Sequence, residues 1–148
     1  MDENGYAPRY LIDAGVAAAV GRAIVPMVAR RKCYQCRQAD SDDSVQRSRL
    51  EDHVEEIAGH CSTTPDYLLP DTPLKEAIFR TMLAHRNEPV TAEEVSRELN
   101  DRWATAAHAR DINPRVIGRL LENGQYYCIA RLPAPEPAEA EAAESSGM

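Results

Sequence analysis

The sequence predicts an α+β protein, mostly helical and built from two parts, and two kinds of observation lead to this prediction. Three cysteines and two histidines lie between positions 33 and 61, a composition typical of a small metal-binding module. Between positions 70 and 132, apolar residues recur at helical spacing behind clear capping residues, and one strand pattern follows them. We therefore expect a metal-binding module followed by a helical domain that ends in a strand.

Turn-forming residues divide the chain. Two turn-rich segments, 62–66 and 69–73, separate a module at 9–64 from a domain at 65–132. Both ends, 1–8 and 133–148, are expected to be disordered. The segment 133–148 consists largely of Pro, Ala and four glutamates without a basic residue, so it has too little apolar surface to form a core. The net charge of the whole chain is −7, and the four glutamates of the tail account for −4 of it. The remainder carries −3, so the folded part is nearly balanced.

The apolar stretch from 11 to 29 is predicted to be core and not membrane. It contains Asp13 and Arg22 and is interrupted by Pro26, so it falls short of the roughly 20 apolar residues of a membrane span. Its second part, 24–28, is predicted to be a strand leading to the first cysteine. No signal-peptide pattern begins the chain, and we expect a cytoplasmic protein.

The cysteine and histidine positions predict a zinc site. Cys33 and Cys36 form a Cys-x-x-Cys turn, which supplies two thiolates from one tight segment. Residues 41–58 are predicted to form one helix, and a left-handed cap at Gly59 would return Cys61 to the level of His53. The favoured ligands are Cys33, Cys36, His53 and Cys61. His60 follows His53 by seven residues, about 10 Å along a helix, so both imidazoles cannot reach one metal. The fallback is a set in which His60 takes the place of His53 or of Cys61.

Other interpretations of these cysteines stay open. They include buried thiols, a redox pair and half of a disulfide scaffold. Cationic residues surround the Cys-x-x-Cys turn, namely Arg30, Arg31, Lys32 and Arg37. Their charges would stabilise thiolates in a redox pair and in a metal site alike, so they do not distinguish the two.

The spacing C-x2-C-x16-H-x7-C is similar to the zinc signature of the baculoviral inhibitor-of-apoptosis repeat family. Glu51 and Asp52 stand where that family has an acidic pair before its histidine, and residues 11–15 resemble its upstream leucine and Ala-Gly stretch. Arg37 and Gln38 stand where the family has glycine, and tryptophan is missing from the intervening segment. The resemblance implies the zinc ligand set, with His53 as the histidine, and not peptide binding.

The second domain is predicted element by element. Asp71 or Thr72 caps a first helix that runs to about residue 85, with Pro73 in its first turn. Thr91 and Glu94 form a capping box for a second helix. Asn113 caps a third helix with Pro114 at its first position, and Val116, Ile117, Leu120 and Leu121 are predicted to face inward. A strand at 126–132 follows.

This order of elements resembles the winged helix-turn-helix superfamily, with a short or missing wing because no strand pattern follows residue 132. The resemblance implies that the third helix enters the DNA major groove. The residues predicted to contact nucleic acid are Arg110, Arg115 and Arg119, with His108 and Asn113 as further candidates. A solvated helix face explains the same arginines, and residues 70–132 carry nine basic and nine acidic residues, where a dedicated DNA binder is usually basic.

Enzymatic function is not expected. The sequence has no glycine-rich phosphate loop and no serine nucleophile motif, and Glu93 and Glu94 are explained by the helix cap. We expect a non-catalytic zinc protein that acts in transcription or a related nucleic-acid process. The alternative is a protein-interaction adaptor whose zinc module is the docking surface. A protein partner is expected in either case, and the oligomeric state is left open.

Overall fold

The computed structural model describes residues 7–106 and 112–133. In these ranges the helices and strands, in chain order, are β1 (Arg9–Ile12), α1 (Ala14–Ala19), α2 (Ile24–Ala29), α3 (Tyr34–Ala39), α4 (Asp42–Arg47), α5 (Leu50–Gly59), α6 (Leu74–Ala84), β2 (Val90–Thr91), α7 (Ala92–Arg102), α8 (Pro114–Glu122) and β3 (Ile129–Arg131). Two 3-10 turns, Cys61–Thr63 and Gln125–Tyr127, complete the order. The predicted class, α+β and mostly helical, is confirmed.

The three strands form one antiparallel sheet with β1 in the middle, in the order β2-β1-β3. Tyr10 of β1 pairs with Val90 on one side and with Arg131 on the other. Beyond this register, the Leu132 N–H donates a hydrogen bond of 2.8 Å to the carbonyl oxygen of Arg9. The last strand, for which the sequence offered no partner after residue 132, therefore pairs with a strand from the start of the chain that sequence analysis missed.

The predicted division at residue 64 does not separate two hydrophobic cores. Val28 and Ile57 precede it, Phe79, Leu99 and Ile117 follow it, and all five side chains have no exposed surface and belong to one buried cluster. The sheet also crosses the division, since β1 lies in the first part and its two partners lie in the second. The described residues of both parts thus share one core.

The helix ends of the second part follow local rules. The Thr91 side chain accepts a hydrogen bond from the Glu94 N–H, and the Glu94 side chain accepts one from the Thr91 N–H, so the predicted capping box is present. Asn113 accepts from the Arg115 N–H, and Pro114 is the first residue of α8. Helix α6 starts at Leu74 with Pro73 at its N-cap, so neither of the two predicted capping residues caps it.

Four further local predictions were wrong. The predicted strand at 24–28 is helix α2, since Pro26 lies in its first turn, where a missing N–H costs no hydrogen bond. The single helix predicted at 41–58 is two helices, because Ser48 and Arg49 are extended. The last strand begins only at residue 129, after Cys128 in a left-handed conformation (φ 61°). Val116 is 36% exposed and does not face inward.

The end segments fall mostly outside the described residues. The expectations of disorder for 1–8 and 133–148 concern residues of which the structure describes only 7, 8 and 133. Among the described helices, none has the length and apolar character needed to cross a bilayer.

Candidate metal centre

Three cysteines and one histidine converge where α3 begins and α5 ends. Cys33 is the N-cap of α3, and Cys36 is in the first turn of that helix. His60 directly follows α5, and Cys61 opens the 3-10 turn behind it. His60 and Cys61, at the end of α5, therefore lie close to Cys33 and Cys36, at the start of α3.

The spacing of the ligand atoms fits a small tetrahedral ion. The Nδ1 of His60 lies 3.7 Å from the Sγ of Cys33, 3.5 Å from that of Cys36 and 4.0 Å from that of Cys61. All four ligand atoms lie within 4.8 Å of one another. Zinc at about 2.3 Å from sulfur and about 2.0 Å from nitrogen requires tetrahedral edges of roughly 3.6 Å. The four residues are therefore close enough to hold a metal ion, and their donor set, three thiols and one imidazole, is one that zinc prefers.

The histidine of this group is His60, so the structure supports the fallback and not His53. His53 is 2% exposed, on the inner face of α5, where its Nε2–H donates a 3.4 Å hydrogen bond to the carbonyl oxygen of Val45. Its Nδ1 is buried without a hydrogen-bond partner among the described residues. The expected left-handed cap at Gly59 does not form, because Gly59 does not have a positive φ. Cys61 therefore remains beside His60, at the end of the helix.

This outcome also bears on the family resemblance. The zinc signature of the inhibitor-of-apoptosis repeat places its histidine at position 53, seven residues before the last cysteine. The group in the structure instead contains the adjacent pair His60 and Cys61. The ligand set implied by the resemblance is thus not the set that the fold brings together.

All four cysteines of the chain are free thiols, and the three in the group perturb one another. The pKa of Cys33 is lowered, mainly because the backbone N–H of Cys36 stabilises its thiolate. Burial raises the pKa of Cys36, and its hydrogen bonding to Cys33 and Glu56 raises it further. Burial also raises the pKa of Cys61. Three thiolates in one place repel one another, and a bound divalent cation removes that penalty.

A buried lysine fixes the geometry around the group. Lys32, 5% exposed, precedes Cys33, and its Nζ lies 3.0 Å from Asp40 at the end of α3 and 3.2 Å from Glu56 of α5. Burial by itself lowers the pKa of Lys32, but the two carboxylates outweigh it and the pKa is raised. Lys32 therefore stays charged and ties together the two helices that supply the ligands. From the sequence, Lys32 is only a cation near the cysteines, because its two carboxylate partners lie eight or more residues away.

The segment after the metal ligands is anchored to the second part of the chain. The Tyr67 hydroxyl donates a 2.6 Å hydrogen bond to the carbonyl oxygen of Arg80, and the Arg80 guanidinium donates one of 3.0 Å to the carbonyl oxygen of Tyr67. The buried indole N–H of Trp103 donates one of 3.1 Å to the carbonyl oxygen of Leu68. The candidate metal centre is therefore continuous with α6 and α7.

Two of the three predicted nucleic-acid contacts can be located. Arg115 and Arg119 lie one turn apart on α8; both are exposed, and neither forms an ion pair with another described residue. Asn113 is exposed as well, but its side chain is used by the helix cap. Arg110 and His108 lie outside the described residues.

Comparisons of this chain with protein-family models, with curated proteins and with solved structures found no significant match.

Proposed function

We propose that the protein is a non-catalytic, cytoplasmic zinc protein that acts in transcription or a related nucleic-acid process. In this proposal Cys33, Cys36, His60 and Cys61 bind one Zn²⁺. The ion is structural, because all four positions of its tetrahedron are taken by the protein and none is left for a water or a substrate. Its role is to hold the start of α3 and the end of α5 together, so that the surface of the fold is rigid.

The nucleic-acid role rests on one observation, the pair Arg115 and Arg119. They are one helical turn apart and so lie on one face of α8, and no described carboxylate neutralises them. Winged helix-turn-helix proteins, which this part of the chain resembles, place the corresponding helix in the major groove. Guanidinium groups in such positions bind backbone phosphates and release counterions, which supplies much of the affinity.

A protein-interaction adaptor is the alternative, and Val116 favours it. This apolar side chain is 36% exposed between the two arginines, and the chain as a whole carries a net charge of −7. Arginine is enriched at protein interfaces, and the buried centre of an interface is more apolar than the rest of the surface. In the adaptor, the zinc module would be the docking surface, and α8 would offer a further contact.

A salt titration of duplex DNA binding separates the two. The full-length zinc-loaded chain is titrated with a fluorescent 20-base-pair duplex at several salt concentrations, and so is Arg115→Ala/Arg119→Ala. Exposed arginines contribute little to stability, so the double variant is expected to fold normally. Its affinity for the duplex is expected to fall, and the slope of log K against log salt to flatten by roughly one to two units.

Lys75→Ala/Arg97→Ala is the matched control. It removes the same charge from exposed positions on two other helices, and neither residue forms an ion pair with another described residue. An equal loss of affinity in the control would show that only net charge matters. If the wild-type chain binds neither duplex nor single strands at low salt, the nucleic-acid role is wrong and the adaptor replaces it.

A further inference from the structure

A cationic cavity adjoins the candidate metal centre, and the proposed role of α8 does not use it. Its volume is about 170 Å³. Five of its lining residues are cationic, namely Arg30, Arg31, Lys32, Arg37 and Arg80. Asp66 is the one acidic residue among those lining it.

Three of these cations already have partners. Arg31 and Arg80 both bind the carboxylate of Glu76, at 2.7 Å and 2.9 Å. Lys32 binds two carboxylates beside the cysteines, as described above. These three side chains are therefore positioned by the fold and largely neutralised.

Arg30 and Arg37 differ from these three cations in having no carboxylate partner among the described residues. Both are exposed, and neither forms an ion pair with another described residue. Arg30 is the C-cap residue of α2, and Arg37 lies in α3. Two short helices thus bring the two arginines to the same cavity. They also line a second, larger cavity of about 360 Å³, whose other walls include Pro26 and Val45. The two arginines thus lie where two neighbouring depressions meet.

An aromatic side chain completes this surface. Tyr34, which lines the cavity with Arg30 and Arg37, is 66% exposed. It lies between two candidate zinc ligands in sequence, so metal binding fixes its backbone while its ring stays free. Sites for single-stranded nucleic acid combine cationic side chains, which bind phosphates, with an exposed aromatic ring, which stacks on a base. Arg30, Arg37 and Tyr34 provide this combination.

We infer that the surface formed by Arg30, Tyr34 and Arg37 binds a single-stranded nucleic acid, with a base on Tyr34 and the neighbouring phosphates on the two arginines. Two cavities that share these arginines give a strand a path longer than one nucleotide. A duplex does not suit this surface, because its bases are stacked inside and cannot reach the ring. The inference rests on the proposed nucleic-acid function and adds to it a second site, distinct from α8, with its own substrate class.

The test is binding of a fluorescent 12-nucleotide oligothymidine to the full-length zinc-loaded chain across a range of salt concentrations. Arg30→Ala/Arg37→Ala is expected to weaken binding at least tenfold and to flatten the salt slope by about 1.4 units, since each phosphate contact on a single strand contributes about 0.7. Tyr34→Ala is expected to weaken it by roughly tenfold with an unchanged slope, whereas Tyr34→Phe keeps the ring and is expected to bind like wild type.

Two controls accompany these variants. Lys75→Ala/Arg97→Ala removes the same charge elsewhere and is expected to keep most of the affinity. Zinc content and circular dichroism of each variant verify that the metal centre and the helices are intact. If Arg30→Ala/Arg37→Ala fails this check, it is replaced by Arg30→Gln/Arg37→Gln, which keeps more of the length and polarity of both side chains.

Three results would overturn the inference. One is an affinity for oligothymidine that is the same in wild type, in Arg30→Ala/Arg37→Ala and in Tyr34→Ala, while duplex binding still depends on Arg115 and Arg119. The single-strand site is then wrong, and the proposed function is not affected. Another is binding of a phosphoserine peptide that needs the arginines and not Tyr34, which would assign the surface to a phosphoprotein. The third is absence of all nucleic-acid binding, which removes this site and the proposed function together.

Discussion

Asn87 holds the end of β1 through both groups of its side-chain amide. Its Oδ1 accepts a hydrogen bond from the Ile12 N–H, and its Nδ2 donates one to the Ile12 carbonyl oxygen, each at 2.8 Å. Asn87 can do this because its backbone is in the left-handed region, with φ 56°. Asparagine adopts that region more readily than most residues. A loop after α6 therefore satisfies the backbone of the central strand.

Asn87→Ala is expected to destabilise the fold by about 1–3 kcal/mol, because two partly buried backbone groups of Ile12 lose their partners. Alanine also tolerates a positive φ less well than asparagine. Urea denaturation followed by circular dichroism measures the loss. Asn87→Gly separates the two causes, since glycine relieves the backbone cost and still lacks the amide. If Asn87→Gly is as stable as wild type, the hydrogen bonds to Ile12 contribute nothing.

Zinc binding is expected to depend on His60 and not on His53. The wild-type chain should hold about one zinc per molecule, and a chelator should lower its melting temperature, since structural zinc can contribute on the order of 10 kcal/mol to a small domain. His60→Ala is expected to lose zinc to a far weaker chelator than wild type does, because one of the four ligands is gone. Competition with a chromogenic chelator provides the measurement.

His53→Ala is the matched variant on the same helix. It removes a buried imidazole, so it is expected to lower stability by about 1–3 kcal/mol while zinc content stays at about one per molecule. His60 is exposed, and without a metal role its replacement would cost little. The reverse pattern, zinc lost in His53→Ala and retained in His60→Ala, would return the ligand assignment to His53.

Acid is expected to destabilise the protein partly through Glu76. Burial raises the pKa of this carboxyl group, but hydrogen bonds and charges from Arg31 and Arg80 outweigh burial and bring the pKa below its ordinary value of 4.5. A group with a lowered pKa in the folded state contributes stability above its unfolded pKa, and that contribution is lost as the pH falls through the folded value. Glu76→Gln is therefore expected to lower stability at pH 7 and to reduce the further loss between neutral pH and about pH 3.

Glu55→Gln is the control for Glu76. The pair of Glu55 and Arg86 is also made by several short hydrogen bonds, but both side chains are exposed. Water screens such pairs, so we expect a small change at pH 7 compared with Glu76→Gln. Thermal melts of both variants from pH 7 to pH 3 provide the comparison. Equal effects of the two substitutions would mean that the partial burial of Glu76 gives its ion pairs no advantage.

Sequence analysis predicted the features that depend on neighbours in the chain. Thr91 with Glu94, and Asn113 with Pro114, are local signals, and both helix starts were found where they occur. The helical character of residues 74–84 followed from apolar spacing in the same way. In each case a few adjacent residues contain the whole physical cause, namely which N–H groups need an acceptor.

The errors concern causes that are distant in the chain or depend on a single backbone angle. The strand at Arg9–Ile12 exists because β2 and β3 bind both of its edges, and no pattern within four residues reveals this. The choice between His53 and His60 depended on how α5 ends. A left-handed Gly59 favoured His53, and the helix instead ends without that turn. The donor types were therefore predictable, whereas the identity of the histidine was not.

The position of β1 between β2 and β3 also constrains when the protein can fold during synthesis. The first described strand, β1, receives its second neighbour only from residues 129–131, close to the end of the described chain. A ribosome-bound chain that lacks those residues leaves one edge of β1 unpaired, and unpaired edges associate readily with other chains. The four candidate metal ligands, between positions 33 and 61, are made much earlier. If they bind zinc as proposed, the ion would organise this segment before the central strand receives its last partner.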